Sequence, residues 1–192
     1  MFEPTVLIVA GTNRPGSNAL KVARVLEGHY RQLGAASELF SLADLPREMF
    51  DPGAYAAKPA SFAAIQRRVL DAGGLHIVLP EYNGSFPGVL KYFIDMLKFP
   101  ESFDRKPVAF VGQASGATGA LRAVEQLQMV FGYRNAFIYP QRVFIPGVQE
   151  KFAPDGRLLD EEIDRRLAAQ AEGFWRFIGC IGRAIESAAG EK

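Results

Sequence analysis

The 192-residue sequence has few of the residues that usually build disulfides or metal sites. It contains one cysteine, Cys180, which excludes an internal disulfide and favours a reducing compartment. The two histidines, His29 and His76, lie far from each other and from Cys180 in sequence, so we expect no zinc or other metal site.

The sequence also lacks an excess of one charge and long apolar runs. Its 22 basic residues balance 21 acidic ones, giving a net charge of +1, and no element concentrates Lys or Arg, so nothing supports nucleic-acid binding. No apolar run approaches the roughly 18 residues that a membrane helix needs. Residues 1–11 show no basic leader. We therefore expect one cytoplasmic domain over residues 1–192, without a membrane partner.

The chain is organised around residues 5–18, TVLIVAGTNRPGSN. The apolar run 6–9 predicts a strand in the middle of a parallel sheet that is covered by helices. Glycine, arginine and small polar residues follow, and a helical pattern then begins. Glycine lets a ligand approach the backbone, arginine matches phosphate oxygens, and a helix start presents free N–H groups. This stretch predicts a phosphate-binding loop whose candidate residues are Gly11, Thr12, Arg14, Ser17 and Asn18.

Two familiar phosphate loops do not match this stretch. Gly11 and Gly16 have the spacing of a P-loop, but Ser17 stands in place of its lysine and Asn18 in place of its metal-binding hydroxyl. The dinucleotide pattern GxGxxG is absent from this turn. A purely structural role also stays open, in which Ser17 or Asn18 caps the next helix and Arg14 is solvated.

Strand-like and helical segments alternate along the chain without internal repeats. The strands are predicted at 6–9, 37–41, 75–79, 108–111 and 136–139, with 143–145 continuing the last one. The helices are predicted at 19–33, 61–71, 85–97, 120–131 and 160–188. This alternation predicts an α/β fold, a doubly wound five-stranded parallel sheet with helices on both faces.

Some local expectations accompany this pattern. Residues 44–59, rich in Pro, Gly and Asp, predict a long connecting loop. Ser61 and Ser85 are expected to be N-caps of the helices that follow them. His76, inside a strand, is interpreted as a core histidine and not as a catalyst. Cys180, in the last helix, is interpreted as a small buried apolar residue.

Three loops follow the first, third and fourth predicted strands, so all three lie at the sheet edge where doubly wound folds bind ligands. The loop after the third strand offers backbone N–H groups around an Asn83-Gly84 turn, the aromatic ring of Tyr82 and the carboxylate of Glu81. The loop after the fourth strand offers small residues, Ser115 and Gly116, which leave room for a ring. FMN is a flat, phosphate-bearing heterocycle of the kind these loops suit.

Two of these motifs carry a resemblance to a known family, the flavodoxin-like NAD(P)H-dependent FMN reductases, which include quinone, chromate and azo-dye reductases. Residues 11–18, GTNRPGSN, resemble its phosphate loop G-S-x-R-x-x-S-x-N. Residues 80–91, PEYNGSFPGVLK, match its signature P-E-Y-N-x-S-x-P-G-x-L-K nearly residue for residue. The order and spacing of elements agree over about residues 4–185. Ala120 departs from the family at a frequent glycine of the third flavin loop.

The resemblance implies a flavodoxin-like sheet of order 2-1-3-4-5, FMN as cofactor, NADPH or NADH as electron donor, and a homodimer or homotetramer. It assigns Arg14, Ser17 and Asn18 to the FMN phosphate, residues 80–84 to the isoalloxazine ring, and Ser115 and Gly116 to the third flavin loop. Electrons would pass by a ping-pong route to small acceptors: quinones, free flavins, azo compounds or metal oxyanions. Because the cofactor carries this chemistry, no catalytic side chain is required.

Two functions of other classes stay open at this point. A flavodoxin-like electron carrier binds protein partners and does not use NAD(P)H, but such carriers usually present an acidic face, which a net charge of +1 disfavours. A flavin-binding regulatory protein without NAD(P)H turnover is the second alternative.

Overall fold

A computed structural model describes residues 4–190, with the side chains at positions 186 and 188–190 excepted. Its strands are β1 (Val6–Ala10), β2 (Ser37–Ser41), β3 (Gly74–Pro80), β4 (Pro107–Gln113), β5 (Phe137–Ile138) and β6 (Val143–Ile145). Its α-helices are α1 (Asn18–Gln32), α2 (Phe62–Asp71), α3 (Gly88–Met96), α4 (Leu121–Tyr133) and α5 (Glu161–Gly190).

The strands form one parallel sheet of order β2-β1-β3-β4-β5, which confirms the predicted order. The two short strands β5 and β6 pair with successive parts of β4, its start at Pro107–Val108 and its end at Val111–Gln113. They are therefore one interrupted fifth strand, and the predicted continuation through 143–145 is confirmed.

Each face of the sheet has its own apolar core. Leu7 and Val9 of β1 point to a core closed by α2, α3 and α4. Val6, Ile8 and Ala10 point to the opposite core, which α1 and α5 close. Successive side chains of a strand point to opposite faces, so a strand apolar at every position must be covered twice. The prediction of helices on both faces is confirmed.

Some local expectations were wrong or incomplete. Ser85 does not cap α3: the N-cap is Pro87, because residues 82–85 form a tight turn of their own. Ser61 occupies the N-cap position of α2, but its hydroxyl donates to Glu48 Oε1 at 2.7 Å and makes no capping bond. The expected loop 44–59 contains short 3-10 turns.

The prediction for Cys180 was also wrong, because its side chain is exposed. The buried positions of α5 recur at helical spacing; they are Ile163, Leu167, Ala171, Phe174 and Ile178. Cys180 follows Ile178 by two residues, which is more than half a turn around the helix and places it on the solvent side. No helix among residues 4–190 has the length and apolar character that a membrane crossing requires.

Candidate functional site

A cleft of about 220 Å³ opens where β1, β3 and β4 end, at the carboxyl edge of the sheet. We call the segments that follow these strands the first loop (11–17), the second loop (81–87) and the third loop (114–120). The cleft is lined by Arg14, Pro15, Gly16, Ser17, Asn18, Pro80, Glu81, Tyr82, Gln113, Ala114, Ser115 and Val148. Three loops that are distant in sequence thus meet at one site.

The first loop presents a cation and hydroxyl beside the start of α1. Ser17 is the N-cap of α1, and its Oγ accepts a hydrogen bond from Leu20 N at 3.2 Å. The capping role left open by the sequence is therefore real, but the hydroxyl keeps its own proton to donate. Arg14 is exposed and forms no ion pair with any residue of the described part of the chain. Gly16 has a φ of +63° and open space around its α-carbon.

Gly11 and Thr12, both predicted ligand contacts, lie behind the cleft surface. A Cβ on Gly11 would approach Leu90 Cδ2 and Val78 O to 3.1 Å, so this glycine allows close packing of the strand end. Thr12 is fully buried, and its Oγ1 lies 2.9 Å from Tyr82 Oη. Thr12 therefore joins the first loop to the second and holds the Tyr82 ring in place.

The second loop is rigid because it is bonded to itself and to α4. Tyr82 and Ser85 exchange two backbone hydrogen bonds, and positive φ values at Asn83 (52°) and Gly84 (77°) are typical of a type I′ turn. Gln126 of α4 accepts from Ser85 Oγ at 2.5 Å and donates from Nε2 to Gly84 O at 3.2 Å. Asn83 and Gly84 shape this turn without lining the cleft.

Glu81 brings a carboxylate into the cleft. Its side chain is 15 % exposed, and Oε2 is buried without a hydrogen-bond partner among the described residues. Oε1 lies 4.0 Å from Arg122 Nη1, beyond hydrogen-bonding distance. A buried polar atom without a partner is rare in folded proteins and calls for a donor.

The third loop is held by hydrogen bonds to the end of β6 and to Val148, which follows it. Ala114 N donates to Ile145 O, and Val148 N donates to Ala114 O, both at 3.1 Å. This ladder brings Val148 to the cleft, which the sequence did not predict, because its position depends on the pairing of β6 with β4. Ser115 lines the cleft as predicted, whereas Gly116 lies outside its lining.

The cleft suits the predicted cofactor. An arginine that has no ion-pair partner among the described residues, a serine hydroxyl and an asparagine at a helix start match a phosphate monoester. Pro80, Tyr82 and Val148 add apolar surface to the cleft lining, and the Glu81 side chain adds a polar group, as a heterocycle with a polar edge requires. Among residues 4–190, no three His, Cys, Asp or Glu side chains come together as a metal-binding group.

Comparison with known proteins identifies the family. Residues 4–150 match the model of the family described as NADPH-dependent FMN reductase. The quinone reductase of Escherichia coli (strain K12) is 32% identical over 177 residues, covering 90% of this chain and 94% of the relative. The FMN-dependent NADPH-azoreductase of Staphylococcus saprophyticus is 24% identical over 178 residues, covering 90% of this chain and 94% of the relative.

A solved structure agrees with this assignment. FerB of Paracoccus denitrificans, a flavoenzyme NAD(P)H:(acceptor) oxidoreductase, superimposes with a TM-score of 0.76 at 25% sequence identity, covering 92% of this chain and 97% of FerB. The flavodoxin-like fold that the resemblance implied is thereby confirmed. The chain belongs to the NADPH-dependent FMN reductase family, and it is an oxidoreductase that uses FMN and NAD(P)H.

Proposed function

We propose that this reductase delivers electrons from NADPH or NADH to quinones, with free flavins, azo compounds and metal oxyanions as further acceptors. Support comes from the names of the relatives, which include a quinone reductase and an azoreductase at nearly full coverage. Bound FMN supplies the hydride chemistry at its N5 atom. The observation that carries the proposal is the cleft in which the three loops meet.

We propose that the first loop binds the FMN phosphate. The Arg14 guanidinium donates to phosphate oxygens, the Ser17 hydroxyl donates its free proton, and the Asn18 amide lies in the first turn of α1. The positive end of the α1 dipole adds to this attraction. Gly11 and Thr12 shape the loop from behind.

The second and third loops are proposed to hold the ring. Pro80, Glu81 and Tyr82 line the cleft from the end of β3 and the second loop, and Ser115 lines it from the third loop. The turn at Asn83 and Gly84 shapes the backbone of the second loop. Gly116 leaves open space beside the third loop. No side chain is required to act as an acid, base or nucleophile; these residues bind and orient the ring.

We further propose one domain over residues 1–192, a cytoplasmic location, where reduced nicotinamide cofactors are used, and a homodimer or homotetramer.

The oligomer is supported by exposed aromatic side chains beside α3: Phe50 stacks on Tyr92 at 5.2 Å between ring centroids, and Tyr55 is 53% exposed. Light scattering of the purified protein should give a mass of two or four chains, and a monomer at micromolar concentration would contradict this part.

The decisive experiment is the visible spectrum of the purified protein with added FMN, followed by anaerobic NADPH or NADH and then a quinone. We expect the flavin band to bleach with the nicotinamide and to return with the quinone. Flavin that binds but does not bleach would instead favour the electron carrier or regulatory protein. Failure of FMN to bind would overturn the assignment of the cleft.

Arg14→Gln tests the phosphate assignment separately. A hydrogen bond to a charged group contributes about 1.5–3 kcal/mol, so the affinity for FMN should fall by roughly ten- to a hundredfold in a fluorescence titration. Riboflavin, which lacks the phosphate, should bind the variant and the wild type equally. Arg31→Gln, at the distant end of α1 and 77% exposed, is the matched control and should leave FMN affinity unchanged.

A further inference from the structure

Gln113 is the one buried polar residue of the described chain whose side chain has no partner there. Six polar residues are buried in residues 4–190; they are Thr12, Ser41, His76, Ser102, Gln113 and Gln170. The other five each form at least one side-chain hydrogen bond within the protein. Gln113 is only 4% exposed, yet its side-chain amide forms none with the described residues. A buried amide without a partner costs stability, so we expect a bound group to satisfy it.

A bound group can reach this amide, because Gln113 lines the cleft. Among the described residues, two side-chain atoms are fully enclosed without a partner, Nε of Arg68 and Oε2 of Glu81. Neither atom of the Gln113 amide is one of them, so both keep accessible surface. Gln113 also lies outside the two motifs that carry the family resemblance, residues 11–18 and 80–91. Its role therefore follows from its own position and chemistry.

Gln113 is the last residue of β4, at the bottom of the cleft where the strands end. Its register partners are Pro80 of β3 and Ile145 of β6. Its side chain points to the same face of the sheet as that of Val111, two residues earlier, and α1 covers that face. The first loop leads into α1, so the amide and the proposed phosphate site share one face. Since β3 separates β4 from β1, two strand spacings, about 10 Å, lie between Gln113 and β1.

This position matches the middle of the cofactor, the ribityl chain that joins the phosphate to the ring. With the phosphate at the first loop and the ring at the second and third loops, the chain crosses the strand ends between them. Its hydroxyls both donate and accept hydrogen bonds, as a side-chain amide does, whereas an ionised phosphate mainly accepts them. We propose that the Gln113 amide binds ribityl hydroxyls and so selects flavins that carry this chain, an inference that rests on the proposed flavin site.

The amide then has opposite effects on the free and the bound protein. Without a partner it lowers the stability of the flavin-free protein, and with the hydroxyls it adds to flavin affinity. Its removal should therefore weaken flavin binding without weakening the fold. A residue that only supports the structure would lower both quantities when it is replaced.

Gln113→Met removes the amide and keeps an unbranched side chain of similar length. Flavin-free protein is titrated by fluorescence with FMN, with riboflavin, which lacks the phosphate, and with lumiflavin, which lacks both the phosphate and the ribityl chain. The affinities for FMN and riboflavin should each fall by roughly two- to tenfold, the range for hydrogen bonds between uncharged groups. The affinity for lumiflavin should not change. Gln32→Met, at the exposed end of α1, is the matched control and should bind all three flavins like the wild type.

Thermal unfolding of the flavin-free protein completes the test. The melting temperature of Gln113→Met should equal that of the wild type or exceed it by up to about 4 °C. A lower melting temperature would assign Gln113 a structural role, and an equal loss of lumiflavin affinity would place the amide against the ring; either result overturns the proposal. Unchanged affinity for FMN would also overturn it and leave the proposed function intact. Failure of the wild type to bind FMN would instead remove the flavin site itself.

Discussion

Tyr30, His76 and Gln170 form a polar network inside the core between the sheet and helices α1 and α5. Gln170 Nε2 donates to the carbonyls of Phe110 and Gln141, at 3.0 and 2.8 Å, so its Oε1 is an acceptor. His76 Nε2, 3.2 Å from that oxygen, must therefore carry the proton. Its Nδ1 then accepts from Tyr30 Oη at 2.7 Å. The imidazole is neutral and fully satisfied, which confirms His76 as a core histidine.

Tyr30→Phe should destabilise the protein by about 1–3 kcal/mol, because it leaves the buried Nδ1 of His76 without a donor. Urea unfolding measures this loss. Tyr139→Phe is the control: its hydroxyl donates to Gln141 Oε1 at 3.2 Å in an exposed hydrogen bond, so the free energy of unfolding should change by no more than about 0.5 kcal/mol. Equal effects of the two substitutions would contradict the network.

Ala120 shows how a single residue departs from the family pattern at a structural cost. It replaces a frequent glycine, and its φ of +71° lies in the left-handed region. This conformation costs a non-glycine residue roughly 1–2 kcal/mol. The buried Cβ packs in the core below α4, which offsets part of that cost.

At the level of whole elements, the glycines of the third loop and of the end of β4 have two different roles. Two of them allow backbones to pack closely, and one has open space around it. A Cβ on Gly112, at the end of β4, would approach Gly119 O to 2.6 Å, and one on Gly119 would approach Ile145 N to 2.7 Å. The backbone of Gly119 therefore packs directly against Gly112 on one side and against Ile145 of β6 on the other. A Cβ on Gly116 would meet nothing within 4 Å, so this glycine is not needed for packing of the described residues.

Gly116→Ala should therefore leave the melting temperature within about a degree of the wild type. It should lower FMN affinity, because the proposed ring site places the flavin beside this glycine. Gly112→Ala should lower both, because the backbone of the loop must move. Thermal unfolding without ligand and FMN titration separate the two effects. If Gly116→Ala left FMN affinity unchanged, the assignment of Gly116 to the ring would be wrong.

At the scale of the whole molecule, burial of His76 ties stability to pH. Burial lowers its pKa to about 4 from an ordinary value of 6.5, and the hydrogen bond with Gln170 opposes that shift. The unfolded chain takes up a proton near pH 6.5, whereas the folded protein does so only near pH 4. Stability contributed by the neutral ring is therefore lost as the pH falls through this window.

We expect His76 alone to cost the folded state about 2 kcal/mol between about pH 7 and pH 5. Denaturant unfolding at several pH values, for the wild type and for His76→Gln, isolates this contribution because the other groups are common to both. The variant should show a shallower loss of stability on acidification. Parallel curves, or an NMR titration of His76 near pH 6.5, would contradict the prediction.

The sheet, its two covered faces and the edge that holds the site could be predicted from the sequence. A short apolar run such as 6–9 is typical of a central strand, and the loops that follow the strands of a parallel sheet share one edge. These are local patterns, so Arg14, Ser17, Pro80, Glu81, Tyr82 and Ser115 could be placed in the cleft without coordinates.

Which candidates line the cleft and which lie behind its surface depends on the packing of the elements. Thr12 faces Tyr82, Gln126 fixes the second loop, and Val148 reaches the cleft through the pairing of β6 with β4. Cys180 is exposed because α5 packs the opposite side, which carries Ile178, against the sheet. Each of these facts depends on contacts between residues far apart in the chain. Such contacts form only when the elements pack together, so no local pattern records them.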